Sequence, residues 1–225
     1  MTASSYIRPP KYPKIPYLVA PAHVQADDGL LSEDERRGLV AATVVVEEKL
    51  DGANVSLWFD GATLQVATRG GLNAMDRGGL LGRLRAWALE RRDYLYTALD
   101  ERLVLYGEWL LRRHRIHYSR LPSALIGLDV LNAATSTFLD VPGRDRVLAA
   151  ACLCPPPVLF DGVLHDLATA ENLLGRSRFA DEMAEGIVVR PVPPLTGLPR
   201  IAKLVRRDFV PVGDNPSEEN TVLKS

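Results

Sequence analysis

Val44-Val45-Val46-Glu47-Glu48-Lys49-Leu50-Asp51-Gly52-Ala53-Asn54-Val55 is the stretch on which the reading of this chain turns. Three consecutive valines favour a strand, because side chains branched at Cβ fit a pleated surface better than a helix. Asp51-Gly52 then supplies a turn. Lys49 is therefore delivered at a strand end, between two glutamates and an Asp-Gly turn. Lys-x-Asp-Gly also occurs in ordinary hairpins, so the pattern acquires meaning only from the segments around it.

With 225 residues, 47% hydrophobic and 24% charged, the chain has the length and composition of a folded domain with a substantial core. The 27 Lys and Arg nearly balance the 28 Asp and Glu, so any nucleic-acid surface must be a local patch, not a global basic field. No apolar run approaches the roughly 20 residues of a membrane span. The opening Met1-Thr2-Ala3-Ser4-Ser5 leads into a Pro-rich stretch and does not read as a signal peptide, so the expected compartment is the cytoplasm. Cys152 and Cys154 are expected to be packing residues, not a disulfide or zinc framework.

Working outward, residues 1–42 read as a lead-in packed on the core, with anchors in Tyr12-Pro13-Lys14-Ile15-Pro16-Tyr17-Leu18 and a short helix over 27–40 capped by Ser32. Strands are expected over 43–50, 55–59 and 63–68, the last two joined at Asp60-Gly61. A Gly-rich loop spans 69–79, and one long helix spans 79–103. Further strands are expected over 103–109, 124–131, 136–140, 186–190 and 200–206, with helices over 145–152 and 167–174. Pro155-Pro156-Pro157 separates two elements. One domain covers 1–210, and 211–225 reads as a loosely held polar tail.

Five segments follow the lysine element in order: Thr68-Arg69-Gly70-Gly71, Val104-Leu105-Tyr106-Gly107-Glu108-Trp109, Ala124-Leu125-Ile126-Gly127-Leu128-Asp129-Val130, Glu185-Gly186-Ile187-Val188-Val189-Arg190-Pro191 and Ala202-Lys203-Leu204-Val205-Arg206-Arg207-Asp208-Phe209. Together with Lys49-Leu50-Asp51-Gly52 they resemble the site of the covalent nucleotidyltransferases, the superfamily of polynucleotide ligases and mRNA-capping enzymes. Glu48-Lys49 with Asn54 five residues on resembles the bacteriophage-type and bacterial RNA ligases. The resemblance covers most of the chain. It implies an α+β, ATP-grasp-like ligase core of antiparallel sheets flanked by helices, with the nucleotide held between them and no C-terminal OB domain.

It also implies an activity: ATP-dependent joining of 5′-phosphate and 3′-hydroxyl RNA ends through a lysyl-AMP, with Mg²⁺, or Mn²⁺ in its place. Lys49 would be the nucleophile. A free lysine, whose pKa is about 10.4, must lose its proton to attack, and burial and nearby cations favour that loss. By resemblance, Glu48 would accept from the adenine amine, Glu108 would hold the ribose hydroxyls, and Arg69 would touch the ribose or incoming phosphate. Leu128 would pack on the base, and Lys203 would bind the α-phosphate. Asp51, Glu185 and Glu108 would order the waters of the metal, with Glu185 and Lys203 serving catalysis beside Lys49.

Asn54, Arg112, Arg113, Arg115 and Arg206 are the candidate RNA contacts, although Arg112-Arg113-His114-Arg115 reads equally well as a solvated loop. His114 and His117 read as surface or stacking residues. Two positions depart from the family's pattern. Val205 stands where relatives carry a second lysine, and Leu128 where they carry an aromatic residue. RNA ends are the expected partner, and a protein partner could supply a substrate-binding domain. A DNA ligase, a GTP-dependent capping guanylyltransferase and a sealing-incompetent nucleic-acid-binding module stay open as alternatives.

Overall fold

A computed structural model of the protein describes residues 9–21, 29–69, 79–194, 196–197, 200–210 and 219–223. Its elements are α1 (Glu33–Ala41), β1 (Thr43–Lys49), β2 (Ala53–Asp60), β3 (Thr63–Thr68), α2 (Leu80–Glu90), α3 (Arg92–Leu99), β4 (Leu103–Trp109), β5 (Leu125–Asn132), β6 (Thr137–Phe138), α4 (Val141–Ala150), β7 (Val158–Val163), α5 (Leu167–Asn172), β8 (Gly186–Pro191) and β9 (Ala202–Val205). They form two antiparallel sheets, ordered β7-β1-β8-β9 and β3-β2-β4-β5-β6. The mixed α+β class is as the sequence leads one to expect.

Contacts divide the chain into two compact units. The first comprises residues 1–12, 53–109 and 125–155; the second comprises 13–52, 110–124 and 156–225.

In the first unit, α2, α3 and α4 pack on the five-stranded sheet. The single helix expected over 79–103 is two helices, broken at Arg91 (φ −110°, ψ 13°). The break lets Leu81, Leu84 and Ala88 pack on the β3 side while Leu95 and Leu99 reach β2, β4 and α4. The helix expected over 145–152 starts earlier, at Val141. Asp140 accepts from Gly143 N at 2.8 Å, and Pro142 falls in the first turn, where a missing N–H costs nothing. The strand expected over 136–140 shrinks to two residues, and Cys152 and Cys154 are exposed rather than packed. The Gly-rich loop over 70–78 lies outside the described residues.

In the second unit, the helix expected over 27–40 begins only at Glu33, where Ser32 caps it as expected and Glu35 completes a capping box. One side of the sheet carries the core: Leu18, Leu39, Val44, Val46, Ile187, Val189, Ala202 and Leu204. Strand β7, which the sequence reading did not anticipate, follows the three prolines and pairs with β1. The lead-in runs beside β9, with Leu18 N donating to Lys203 O at 2.7 Å and Lys203 N to Pro16 O at 2.9 Å. The tail is not loose throughout: Glu219 and Val222 form bridges with Arg112 and Leu121, and Asn220 is buried.

Gly186 lies between β1 and β9, opposite Lys49 on one side and Val205 on the other. A Cβ there would sit 2.2 Å from Leu204 O and 2.9 Å from Val205 Cα. Backbone on a paired strand cannot give way as a side-chain tip can. Gly186→Ala is therefore expected to lower stability by about 1–3 kcal/mol, the usual cost of overpacking. A thermal melt equal to wild type would show that the strands part without strain.

Candidate active site

Strand pairing places Val45, Glu47 and Lys49 of β1 on one face of the four-stranded sheet, opposite the face occupied by Val44 and Val46. Through the pairs Val45–Arg190, Glu47–Val188, Val188–Lys203 and Gly186–Val205, the same face receives Arg190, Lys203 and Val205. Lys49 Nζ lies 2.8 Å from Glu185 Oε1, with 22% and 11% of the two side chains exposed. Burial pushes the Glu185 carboxyl above its ordinary 4.5, while the Lys49 charge pulls it back down. Lys203 is buried, and its ammonium sits 4.0 Å from the centre of the Tyr17 ring. One row further in, Arg190 Nε donates to Glu47 Oε2 at 2.8 Å, a buried ion pair that stiffens the sheet beneath the site.

Glu48 points to the other face. It is 2% exposed, and its carboxylate accepts from Ser177 Oγ at 2.5 Å and from Arg178 N at 2.8 Å. Burial raises its pKa, against the pull of those two hydrogen bonds. Accepting from an adenine amine, the role the resemblance implies, would require sharing this carboxylate with Ser177 and Arg178. Asp51 is held just as firmly on the other flank of Lys49. Its N–H donates to the Tyr118 hydroxyl at 2.8 Å, and its Oδ2 accepts from Arg115 N at 2.7 Å and Ile116 N at 3.0 Å. The two residues bracketing the lysine are thus both clamped by loops, Glu48 by 177–178 and Asp51 by 115–118.

The Asp51 contacts place Arg115 and Ile116 beside the lysine-bearing strand end. Arg115 is exposed, Arg112 is half-buried, and Arg113 lies 4.0 Å from Glu182. Arg206 is engaged: Nε donates to Ala184 O at 2.5 Å, and Nη1 meets Asp208 at 2.6 Å. Its guanidinium is thus committed to Ala184 and Asp208.

The remaining candidates belong to the other unit. Asn54 and Glu108 face each other across β2 and β4, and Arg69 N donates to Asn54 O at 3.1 Å. Leu128 is the extra residue of a bulge, since Tyr106 pairs with Asp129 but Gly107 with Gly127. Its side chain is half-buried, and its carbonyl accepts from Arg144. On the Tyr106 side, the Tyr12 hydroxyl donates to Asp129, and the Tyr106 hydroxyl donates to Pro10 O at 2.6 Å. Burial and the Asp129 charge push the Tyr106 phenol up to about 12.

Sequence reasoning missed Tyr17, Tyr118, Ser177 and the Glu47–Arg190 pair as parts of the site. Tyr17 was legible only as an apolar anchor of the lead-in. Ser177 and Tyr118 sit in irregular segments, where no periodicity marks a buried partner.

The RNA ligase family model matches residues 42–205, well over half of the chain. The fold is similar to solved structures of Naegleria gruberi RNA ligase. With the pyrophosphate complex it shares 15% identity at a TM-score of 0.59, over 91% of this chain and 60% of that one. With a glutamate-to-alanine variant holding ATP and manganese, the values are 15%, 0.56, 88% and 62%. With a lysine-to-methionine variant holding AMP and manganese, they are 14%, 0.54, 75% and 51%. The chain thus spans about half to three-fifths of the length of those proteins. No curated protein matches the sequence significantly. Among the described residues, no helix is long and apolar enough to cross a membrane.

Glu48 yields a prediction with a defined sign. Its folded pKa is raised, so the folded chain holds the proton to higher pH than the unfolded chain does. That contribution to stability is complete below 4.5 and lost as pH rises through the raised value. Between neutrality and pH 4.5, acidification should therefore raise the wild-type melting temperature more than that of Glu48→Gln, which keeps the shape without the charge. Parallel slopes for the two proteins over that range would contradict the assignment of a buried carboxylate.

Proposed function

The chain belongs to the RNA ligase family, and on that premise we propose that it joins RNA ends at the expense of ATP, with Lys49 as the covalent nucleophile. The observation that carries this reading is the Lys49–Glu185 pair at 2.8 Å, on the sheet face that also bears Lys203. A lysine held beside a buried carboxylate is positioned, and its proton has an acceptor within hydrogen-bond reach.

In the first step the Lys49 amine attacks the α-phosphorus of ATP. A P–N bond forms, the bond to the β-phosphate oxygen breaks, and pyrophosphate leaves. The Lys49 ammonium first gives one proton to Glu185 or to water, and the attacking nitrogen loses a second to water as the P–N bond forms. Lys203, on the same face, is suited to meet the charge on the α-phosphate, and Tyr17 keeps its ammonium in place. The adenylyl group then moves to an RNA 5′-phosphate, and a 3′-hydroxyl displaces AMP to form the phosphodiester.

Among the described residues, no cluster of three or more His, Cys, Asp or Glu side chains could hold a metal directly. Asp51 and Glu185, two carboxylates near Lys49, would suit Mg²⁺, or Mn²⁺ in its place, held through water, since Mg²⁺ keeps several waters and binds through one or two carboxylates plus substrate phosphates. When bound, the ion would neutralise phosphate charge. Glu108 for the ribose hydroxyls or for a metal-bound water, Arg69 for the ribose or a phosphate, Leu128 for the base, and Asn54, Arg112, Arg113 and Arg115 for RNA remain part of the proposal. Arg206 enters only if its bond to Asp208 opens.

Two measurements test the reading. With ATP, Mg²⁺ and RNA bearing a 5′-phosphate and a 3′-hydroxyl, the protein should give adenylylated RNA and then sealed product. Lys49→Ala should fail with ATP yet seal RNA supplied already adenylylated, because the step that needs the amine is bypassed. If wild type seals neither substrate while staying folded, the ligase reading falls. The second concerns Val205, which shares the face of Lys203 and Lys49. A unit charge a few ångströms away in a partly screened site contributes on the order of 1–4 kcal/mol. Val205→Lys should therefore speed self-adenylylation by roughly tenfold to a thousandfold and leave sealing of pre-adenylylated ends nearly unchanged. Equal first-step rates would show that the missing cation is not limiting.

A further inference from the structure

Asn220 lies far from Lys49 in sequence, yet its hydrogen bonds to loop 110–121 lead, through the Tyr118 side chain, to Asp51, two residues from the lysine. Its side chain makes two buried bonds: Nδ2 donates to Leu110 O at 2.7 Å, and Oδ1 accepts from Tyr118 N at 2.8 Å. The backbone on either side adds more. Asn220 N donates to Leu111 O at 2.9 Å, Thr221 N to Tyr118 O at 2.9 Å, Leu121 N to Thr221 O at 3.1 Å and Leu223 N to Leu121 O at 2.8 Å. Both backbone polar groups of Tyr118 are thereby spent on residues 220 and 221.

The Tyr118 ring, fully buried, carries this constraint to its hydroxyl, which accepts from Asp51 N. The same loop grips the Asp51 carboxylate through Arg115 N and Ile116 N. Asp51 is two residues from Lys49. A second branch reaches the other flank. Ser119 N and Arg120 N donate to Phe179 O, Phe179 N donates to Ser177 Oγ, and Ser177 Oγ donates to Glu48.

We propose that Asn220 is a positioning residue for the Lys49 amine, acting through Tyr118 and Asp51; this rests on the reading of Lys49 as the nucleophile. Segment Glu219 to Leu223 holds loop 110–121 in one register, the loop fixes Asp51, and Asp51 sets where the strand end presents the lysine. Attack requires the reacting atoms about 3–3.5 Å apart and aligned, and a shift of about 1 Å can cost on the order of a hundredfold in rate. Asn220 touches no reacting atom. Its effect therefore belongs to the rate at saturating nucleotide and not to nucleotide affinity.

The test uses the full chain with Asn220→Ala, and with Tyr118→Phe, which removes only the hydroxyl that Asp51 N–H meets. Two readouts are taken: the single-turnover rate of protein labelling from α-labelled ATP and Mg²⁺, and the hydrogen-exchange rate of the Asp51, Arg115 and Ile116 amides. Both variants should stay folded, label roughly tenfold to a hundredfold more slowly at saturating ATP, and keep the half-saturating ATP concentration of wild type. Exchange at Asp51 should speed up in both. Unchanged Asp51 exchange in Asn220→Ala would overturn the proposal. So would a rate loss matched by the loss of folded protein, or one expressed wholly as weaker ATP binding. If wild type takes no label at all, the nucleotidyl-transfer reading fails, and the exchange measurements alone decide whether Asn220 reaches Asp51.

Discussion

Everything in this site depends on holding a lysine ammonium 2.8 Å from a glutamate carboxylate when both are mostly removed from water. Two such charges are costly to desolvate, and removing either leaves the other without its partner. The rest of the second unit can be understood as the apparatus for that pair. Gly186 exists where a Cβ would strike the β9 backbone, so that Glu185 can leave the strand end next to Lys49. Glu48 and Asp51 are buried or pinned on either side, and neither can move without breaking bonds to a loop. The lysine is thus flanked in sequence by residues that loops hold in place.

That arrangement separates the side chains held within the fold from those presented beside Lys49. On β1 the side-chain alternation sends Glu48 down among the structural contacts and Lys49 up beside Lys203 and Val205. Glu47 lies on the lysine's face, yet it is sealed by Arg190, so of the two glutamates before Lys49 neither is simply a solvated charge. Lys203 is restrained on two sides, by its backbone pairing to Pro16 and Leu18 and by the Tyr17 ring. If Lys203 meets a phosphate as proposed, restraint of this kind reduces the reorganisation needed when the charge arrives.

Much of this was legible in the sequence. The valine run, the Asp-Gly turns and the Ser32 cap marked most of the strands and the start of α1, because these rest on short-range patterns, whereas the polar residues of the candidate site were named through the resemblance to a known family. What was hidden has a physical reason in each case. Arg91 ends a helix without glycine or proline, so the break between α2 and α3 leaves no mark in the periodicity. Pro142 and Gly143 look like breakers, but with Asp140 as cap they open a helix. Strand β7 lies behind three prolines and has no alternation of burial. The partners of the Glu48 carboxylate and of Asp51 are 64 to 130 residues away and sit in loops. Asn220 lies in a polar segment whose composition suggests a solvated tail, and only its two buried hydrogen bonds reveal its place.

Locating the adenylyl group addresses the central claim most directly. Protein incubated with ATP and Mg²⁺, then digested and mapped by mass spectrometry, should carry AMP on the peptide containing Lys49 and nowhere else. Modification of Lys203 in place of Lys49, or of several surface lysines in proportion to their exposure, would contradict the account. It would mean that the pairing with Glu185 and the anchored flanks do not single out one amine.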